Sequence, residues 1–342
     1  MVYQIIWFAL WGLLWAVYFM LDGFDFGAGI LHPFLGKSDE EKRMIINTLG
    51  PVWDGNEVWL ITAGGATFAA FPTTYAYMFS YLYTPLLIIL FALIFRGVAF
   101  EFRGKGKSEQ WKKLWDVAIF AGSLIPTILF GVAFGNIFQG LPIDANGYHG
   151  SLAYLLNPYG ILTGLFFLLL FLEHGALWLA IKTTGELPIR AKSVAKKVWP
   201  LLVAVAVIFL IFSAFKTHLY DNYLKNLVWF IVPIIAVIAL LAIFFFTEKS
   251  PVKAFFASCI TILAVVFTGI IGLYPNLIPS SIDPKYSLTA FNSSSSPYTL
   301  KIMTIVVIIF VPIVLLYQIW TYKIFKDPVT PEEINDPEVE TY

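Results

Sequence analysis

The sequence predicts an all-α polytopic membrane protein with nine transmembrane helices, and three observations carry that prediction. Of 342 residues, 59% are hydrophobic and 13% are charged, against about 25% charged in a soluble domain. The apolar runs are long enough to cross a bilayer core as helices, which takes about 20 residues, and are far longer than the roughly 9–11 of a barrel strand. Connections containing Gly, Pro, Asn, Ser and charged residues separate the runs.

In chain order the spans read as 4–34, 42–71, 75–101, 115–137, 158–182, 198–216, 226–247, 254–275 and 299–325. The first has no basic leader and no small-residue cleavage site, and it outruns a signal h-region, so it is retained as a helix. Ahead of the second stands Ser38-Asp39-Glu40-Glu41, which has the Ser-x-x-Glu form of a capping box. The third carries LIFRGVAFEFR, with Arg96 near its inner end, and the fourth opens on KKLWDVAIF. The fifth follows LNPYG, the next three are continuous apolar runs, and the ninth contains IVVIIFVPIVLLYQIWTY. Residues 138–157 and 276–298 read as loops. Residues 1–325 are expected to form one transmembrane domain, two four-helix bundles plus one peripheral helix. Residues 326–342 are expected to form an acidic, mobile cytoplasmic tail.

Charge sets the expected orientation, because Lys and Arg near helix ends stay on the cytoplasmic side. Seventeen of the 22 basic residues follow spans one, three, five, seven and nine, whereas Lys216, Lys225, Lys285 and Lys301 lie on the other side. The amino terminus is therefore expected outside and the carboxyl terminus in the cytoplasm. The 22 acidic residues cancel the basic ones, so no global field gathers nucleic acid. Cys259 is the sole cysteine, which removes disulfides and cysteine metal sites. The chain has no H-E-x-x-H, P-loop, dinucleotide turn or nucleophile elbow, and so no complete catalytic constellation of its own.

The functional signal is ionisable residues inside apolar spans, which cost roughly 2.5–3.5 kcal/mol each to insert and so face protein or water. Asp22 and Asp25 lie in LDGFDFGAGILHPFL and Asp54 and Glu57 in GPVWDGNEVWL. Each pair is three residues apart and shares a helix face. Counting from the inner ends at ~1.5 Å per residue places Asp25 and Asp54 about 15 Å deep on antiparallel neighbours, as one polar track. His32, seven residues beyond Asp25, extends that face, and the set Asp22, Asp25, His32, Asp54 and Glu57 could relay protons. A fixed hydrogen-bonded cluster is the bland alternative. Arg96 is expected to pair with Asp116. A bis-His haem site would have to use His32 and His174, because His149 and His218 fall in outer connections; the two are a weak constellation. The residues alone also allow a proton-coupled secondary transporter or a purely structural partner subunit.

The stretches LDGFDFGAGIL, GPVWDGNEVWLITAGGATFAAFP, LIFRGVAFEFR, WDVAIFAGSLIP and GVAFGNIFQGLP resemble, in order and spacing, the signature segments of subunit II of bacterial cytochrome bd quinol oxidases. The resemblance implies a respiratory complex in the cell membrane. Subunit I would carry the haems, b and d, and the quinol site, and a small single-helix accessory subunit would join it. The complex would oxidise quinol, reduce O2 to water and take protons from the cytoplasm. This chain would ligate no haem, although a bound quinone or lipid is compatible with it. Asp25 and Asp54 match the acidic positions proposed for a proton entry path, with Asp22 adjacent, and Arg96 and Asp116 match further charged positions. Some members carry Gln at Glu57 and residues other than His at His32 and His174.

Overall fold

The computed structural model describes residues 1–336 and is almost entirely helical. In chain order the helices are α1 Val2–Leu35, α2 Asp39–Leu49, α3 Trp53–Ala70, α4 Pro72–Tyr81, α5 Tyr83–Phe102, α6 Glu109–Gln139 and the short α7 Leu152–Leu155. They continue with α8 Pro158–Lys182, α9 Leu187–Lys216, the short α10 Asp221–Lys225, α11 Ile231–Phe246, α12 Pro251–Leu273, α13 Pro297–Ile324 and α14 Pro331–Asn335. Eight of the helical segments among the described residues are long and apolar enough to cross a membrane. The second expected span is not among them. It breaks at Gly50-Pro51-Val52 into α2 and α3. Pro51 has no N–H to continue the helix ladder, and Asp54, Asn56 and Glu57 dilute the apolarity of α3. The third expected span, 75–101, is likewise split, at Leu82, into α4, which begins at Pro72, and α5.

α1 runs through the middle, packed on α3, α6, α8 and α12; α5 packs on α6, α9 on α8, and α11 on α12. Two close crossings hold this arrangement. A Cβ at Gly27 would collide with the backbone of Phe171 and Gly175, and one at Gly131 would stand 2.6 Å from the Thr163 carbonyl oxygen and 2.7 Å from Gly164 Cα. Glycine therefore lets α1 and α6 lie backbone to backbone against α8, as small residues do where lipid supplies no hydrophobic drive. Trp15, Tyr18, Phe19, Phe130, Phe134, Phe167 and Phe171 fill the space between these crossings with edge-to-face and tilted rings. α13 lies at the rim, with Leu300 its one buried residue.

The two long connections contain short antiparallel pairs, β1 Ile143–Asp144 with β2 Gly147–Tyr148, and β3 Asn276–Ile278 with β4 Leu288–Thr289. Ser280 ties the loops together through its hydroxyl, which donates to the Ile143 carbonyl at 2.6 Å. The start of the acidic tail packs back onto the helices. Val329 donates its N–H to the Lys182 carbonyl at 2.9 Å, Val329 and Ile334 are buried, and Asn335 donates to Glu40 at 2.8 Å. Two apolar residues suffice to pin the segment over the inner ends of α2 and α8. Residues 337–342 of that tail lie outside the described residues.

Gly27→Val should lower stability by about 1–3 kcal/mol or more, because the obstructing atoms are backbone and cannot turn aside. Thermal unfolding of the detergent-solubilised protein measures this; an unchanged midpoint would mean that the α1–α8 crossing is not tight.

Candidate functional site

Two clusters of charged and polar side chains lie in the half that carries the α1–α2 and α5–α6 connections, the half that the charge pattern of the sequence assigns to the inner side. The deeper one joins α1, α3, α5 and α13. Arg96 has no accessible surface, and its Nη2 donates to Asp22 Oδ1 at 2.7 Å and to Glu57 Oε1 at 2.6 Å. Its guanidinium lies 4.1 Å from the centre of the Phe26 ring. Asp25, equally buried, accepts from Asn56 Nδ2 at 2.7 Å. Asn56 Oδ1 in turn accepts from the Tyr322 hydroxyl at 2.8 Å and from Gln318 Nε2 at 3.2 Å. Asp22 Oδ2, Asp25 Oδ1 and two guanidinium nitrogens of Arg96 meet no partner within hydrogen-bond geometry. Buried polar atoms left over in one place are the surroundings in which proteins hold ordered water.

The second cluster sits nearer the inner surface. Asp116 accepts from Arg103 Nε at 2.5 Å and from Lys42 at 2.8 Å, and His32 Nε2 stands 3.6 Å away. Arg103 and Lys112 both reach Asp39, at 2.9 and 2.8 Å, and Arg190 reaches Glu41 at 2.5 Å. Between the clusters and the inner surface opens a cavity of about 980 Å³, with Arg43, Asn47, Arg103, Lys105, Trp178, Lys182, Tyr322 and Phe325 among its lining residues.

The expected pairing of Arg96 with Asp116 is corrected by these contacts. Arg96 turns to α1 and α3 because the buried Asp22 and the half-buried Glu57 stand there. Asp116 lies about two turns into α6, within reach of Lys42 near the start of α2 and Arg103 just past the end of α5. The single track through Asp25 and Asp54 also takes another form inside this chain. The break before Trp53 puts Asp54 in the first turn of α3, where it is exposed on the surface of the chain and its Oδ1 accepts from Gly55 N–H at 2.7 Å. A carboxylate is favoured at a helix N-terminus. Asp22, Asp25 and Glu57 come together, while His32 falls in the Asp116 cluster.

Sequence reasoning missed Asn56, Gln318 and Tyr322. Asn56 was visible as a polar residue between Asp54 and Glu57 inside a span, but the partners from α13, more than 260 positions away, left no local signal. His32 and His174 do not fit a haem pair. Both ring nitrogens of His174 are engaged, Nε2 with the Met20 carbonyl at 2.9 Å and Nδ1 with the Ser258 hydroxyl at 2.6 Å, whereas His32 lies 3.6 Å from Asp116 with neither ring nitrogen in a hydrogen bond. Glu173 is buried with neither carboxyl oxygen meeting a partner.

The comparisons with known proteins agree with one another. The sequence model of a family described as cytochrome bd terminal oxidase subunit II matches residues 3–325. Cytochrome bd ubiquinol oxidase subunit 2 of Bacillus subtilis is 40% identical over 329 residues, covering 96% of this chain and 97% of that protein. The bd-I ubiquinol oxidase subunit 2 of Escherichia coli strain K12 is 36% identical over 366 residues, covering 97% of each. Among solved structures, a chain of the bd oxidase from Geobacillus thermodenitrificans superposes with a TM-score of 0.76 over 95% of this chain and 98% of that one. The two are 19% identical, so that likeness speaks for the fold alone.

Arg96→Leu leaves the buried Asp22 carboxylate and the half-buried Glu57 without their counter-charge and should cost about 3–5 kcal/mol. Adding Asp22→Asn and Glu57→Gln should restore much of the loss, as thermal unfolding would show; a triple variant no more stable than Arg96→Leu would dismiss the ion-pair account. The outer edge of the second cluster should respond to acid. Burial tends to raise the Asp39 carboxyl, but hydrogen bonds from Lys112 and Arg103 outweigh that and hold it below its ordinary value of 3.8. Its contribution is therefore complete above that value and disappears as the pH falls through the lower value of the folded protein. Acid titration of stability should show a limb there that Asp39→Asn abolishes.

Proposed function

The chain belongs to the cytochrome bd terminal oxidase subunit II family, and from that premise we propose that it delivers protons from the inner side of a bacterial membrane toward the oxygen-reducing centre of subunit I. It is subunit II of a quinol oxidase, working beside a haem-bearing subunit I. Reduction of O2 to two waters by four electrons consumes four protons, and these must cross part of the bilayer to reach a buried centre.

The observation that carries the proposal is Asp25: a carboxyl buried deep in an apolar span, bound to a neutral amide, and linked through Asn56 and Tyr322 to a cavity open to the inner side. That sets it apart from its neighbours. Asp22 and Glu57 are both engaged by Arg96, and a carboxylate that neutralises a buried guanidinium cannot take up a proton without unpairing it. These two and Arg96 suit a structural role. Asp25 has no cation bonded to it and can load and unload a proton at lower cost. Asp54 supports the next step, since an exposed carboxylate on a membrane helix faces water or protein. The neighbouring surface of α3 carries Gly55, Gly64 and Gly65, with open space where their side chains would be. Subunit I would close over this face and receive the proton through Asp54. His32, held beside Asp116, would then act at the inner surface.

The same reading takes α2 and α3 together as a ninth crossing, with one four-helix group formed by the segments up to α6, a second by α8, α9, α11 and α12, and α13 peripheral. The amino terminus would face outward and the carboxyl terminus the cytoplasm, which puts the 980 Å³ cavity on the side that supplies protons. Haems b and d would reside in subunit I, and the implied accessory helix would sit against the exposed apolar helices of this complex. An apolar cavity of about 120 Å³ between α8, α9, α11 and α12, lined by Phe166, Leu170, Leu202, Phe209 and Val265, suits a segment of lipid or quinone tail.

In the purified two-subunit complex, Asp25→Asn should lower quinol-driven O2 consumption by about tenfold or more, each decade being ~1.4 kcal/mol of barrier, with the haem spectrum unchanged. Wild-type turnover and proton uptake in that variant would leave the cluster a purely structural one.

A further inference from the structure

α13 contributes almost nothing to the core, yet two of its side chains reach inward and end on a single atom. The Tyr322 hydroxyl and Gln318 Nε2 both donate to Asn56 Oδ1. The orientation of each amide follows from its neighbours. Trp59 Nε1 can only donate, and it donates to Gln318 Oε1 at 3.0 Å, which turns the Gln318 nitrogen toward Asn56. Two donors on Asn56 Oδ1 then turn the Asn56 nitrogen toward Asp25 Oδ2 at 2.7 Å and the Leu21 carbonyl at 3.3 Å. A chain of donors starting at a tryptophan thus decides which face of an amide Asp25 meets. Tyr322 also lines the inner cavity, so its side chain stands between that cavity and Asn56.

We propose that Tyr322 and Gln318 are positioning residues for Asp25, acting through Asn56. With both donors in place Asp25 faces an N–H, which cannot accept the proton that Asp25 carries and leaves it free to move on. When a donor is removed, the Asn56 amide is released to turn over and present its oxygen, and a protonated Asp25 then donates to that oxygen and holds its proton there. The inference rests on the proton-path reading of Asp25 and adds to it the residues that keep this carboxyl able to unload.

The test uses the assembled oxidase in lipid vesicles, with rates normalised to haem absorbance so that only assembled complex counts. Tyr322→Phe should lower kcat for quinol oxidation about fivefold, the worth of one neutral hydrogen bond, and leave KM for quinol unchanged. Gln318→Leu, on the rim of the molecule, should act in the same direction and serves as the second variant. Neither change should slow the Asp25→Asn complex further, because both act through the carboxyl that is already gone. Wild-type kcat in Tyr322→Phe and Gln318→Leu, with Asp25→Asn slow, would overturn the inference and leave the proton path standing. Slowing of equal size with and without Asp25 would also overturn it, placing the effect of Tyr322 elsewhere. Wild-type turnover in Asp25→Asn itself would remove the reading underneath.

Discussion

Arg96 carries a full positive charge at a position with no accessible surface, and the inner half of the molecule is arranged around the cost of keeping it there. A guanidinium out of water is tolerated only with counter-charges in good geometry, and Arg96 finds them on two other helices, Asp22 of α1 and Glu57 of α3. The three helices must therefore hold a common register. Once Asp22 and Glu57 serve that purpose, Asp25 is left with the neutral Asn56 amide as its partner.

The same register depends on how closely the helices approach. Gly27 against Gly175 and Gly131 against Gly164 bring α1 and α6 onto α8 at backbone distance, and the aromatic cluster around Phe19 and Phe130 fills what the glycines leave. The deep acids and the glycines are interleaved on α1, in the run Asp22-Gly23-Phe24-Asp25-Phe26-Gly27. One face of the helix thus packs against α8 while another presents its carboxyls to α3 and α5. At the inner surface the Asp116 cluster and the pinned residues 329–335 frame the cavity, so charge is graded from solvated ion pairs to a single buried site.

Much of this was legible in the residues. The apolar spans, the capping box at Ser38, whose hydroxyl accepts from Glu41 N–H at 3.1 Å, and the costly acids of LDGFD and WDGNE all follow from local pattern and from the price of charge in hydrocarbon. The motif resemblance led to the family that the comparisons support across residues 3–325. Three features were out of reach. The Arg96 partners were misassigned because Asp116 lies nearer in sequence, and sequence distance says nothing about which helix lies alongside. The outward turn of Asp54 depends on a helix break of three residues that shifts its rotation about the axis. Asn56, Gln318 and Tyr322 form a network only when α13 is laid against α3.

Composition, apolar run lengths and buried-acid motifs determined by themselves that this is a multi-helix membrane protein with acids in its spans, because those properties are sums over local residues and their transfer from water. Which acid neutralises Arg96, which stays free and which amide face it meets were decided only by the tertiary structure. Hydrogen bonds and ion pairs depend on ångström-scale approach between helices far apart in the chain, and no local pattern encodes that approach.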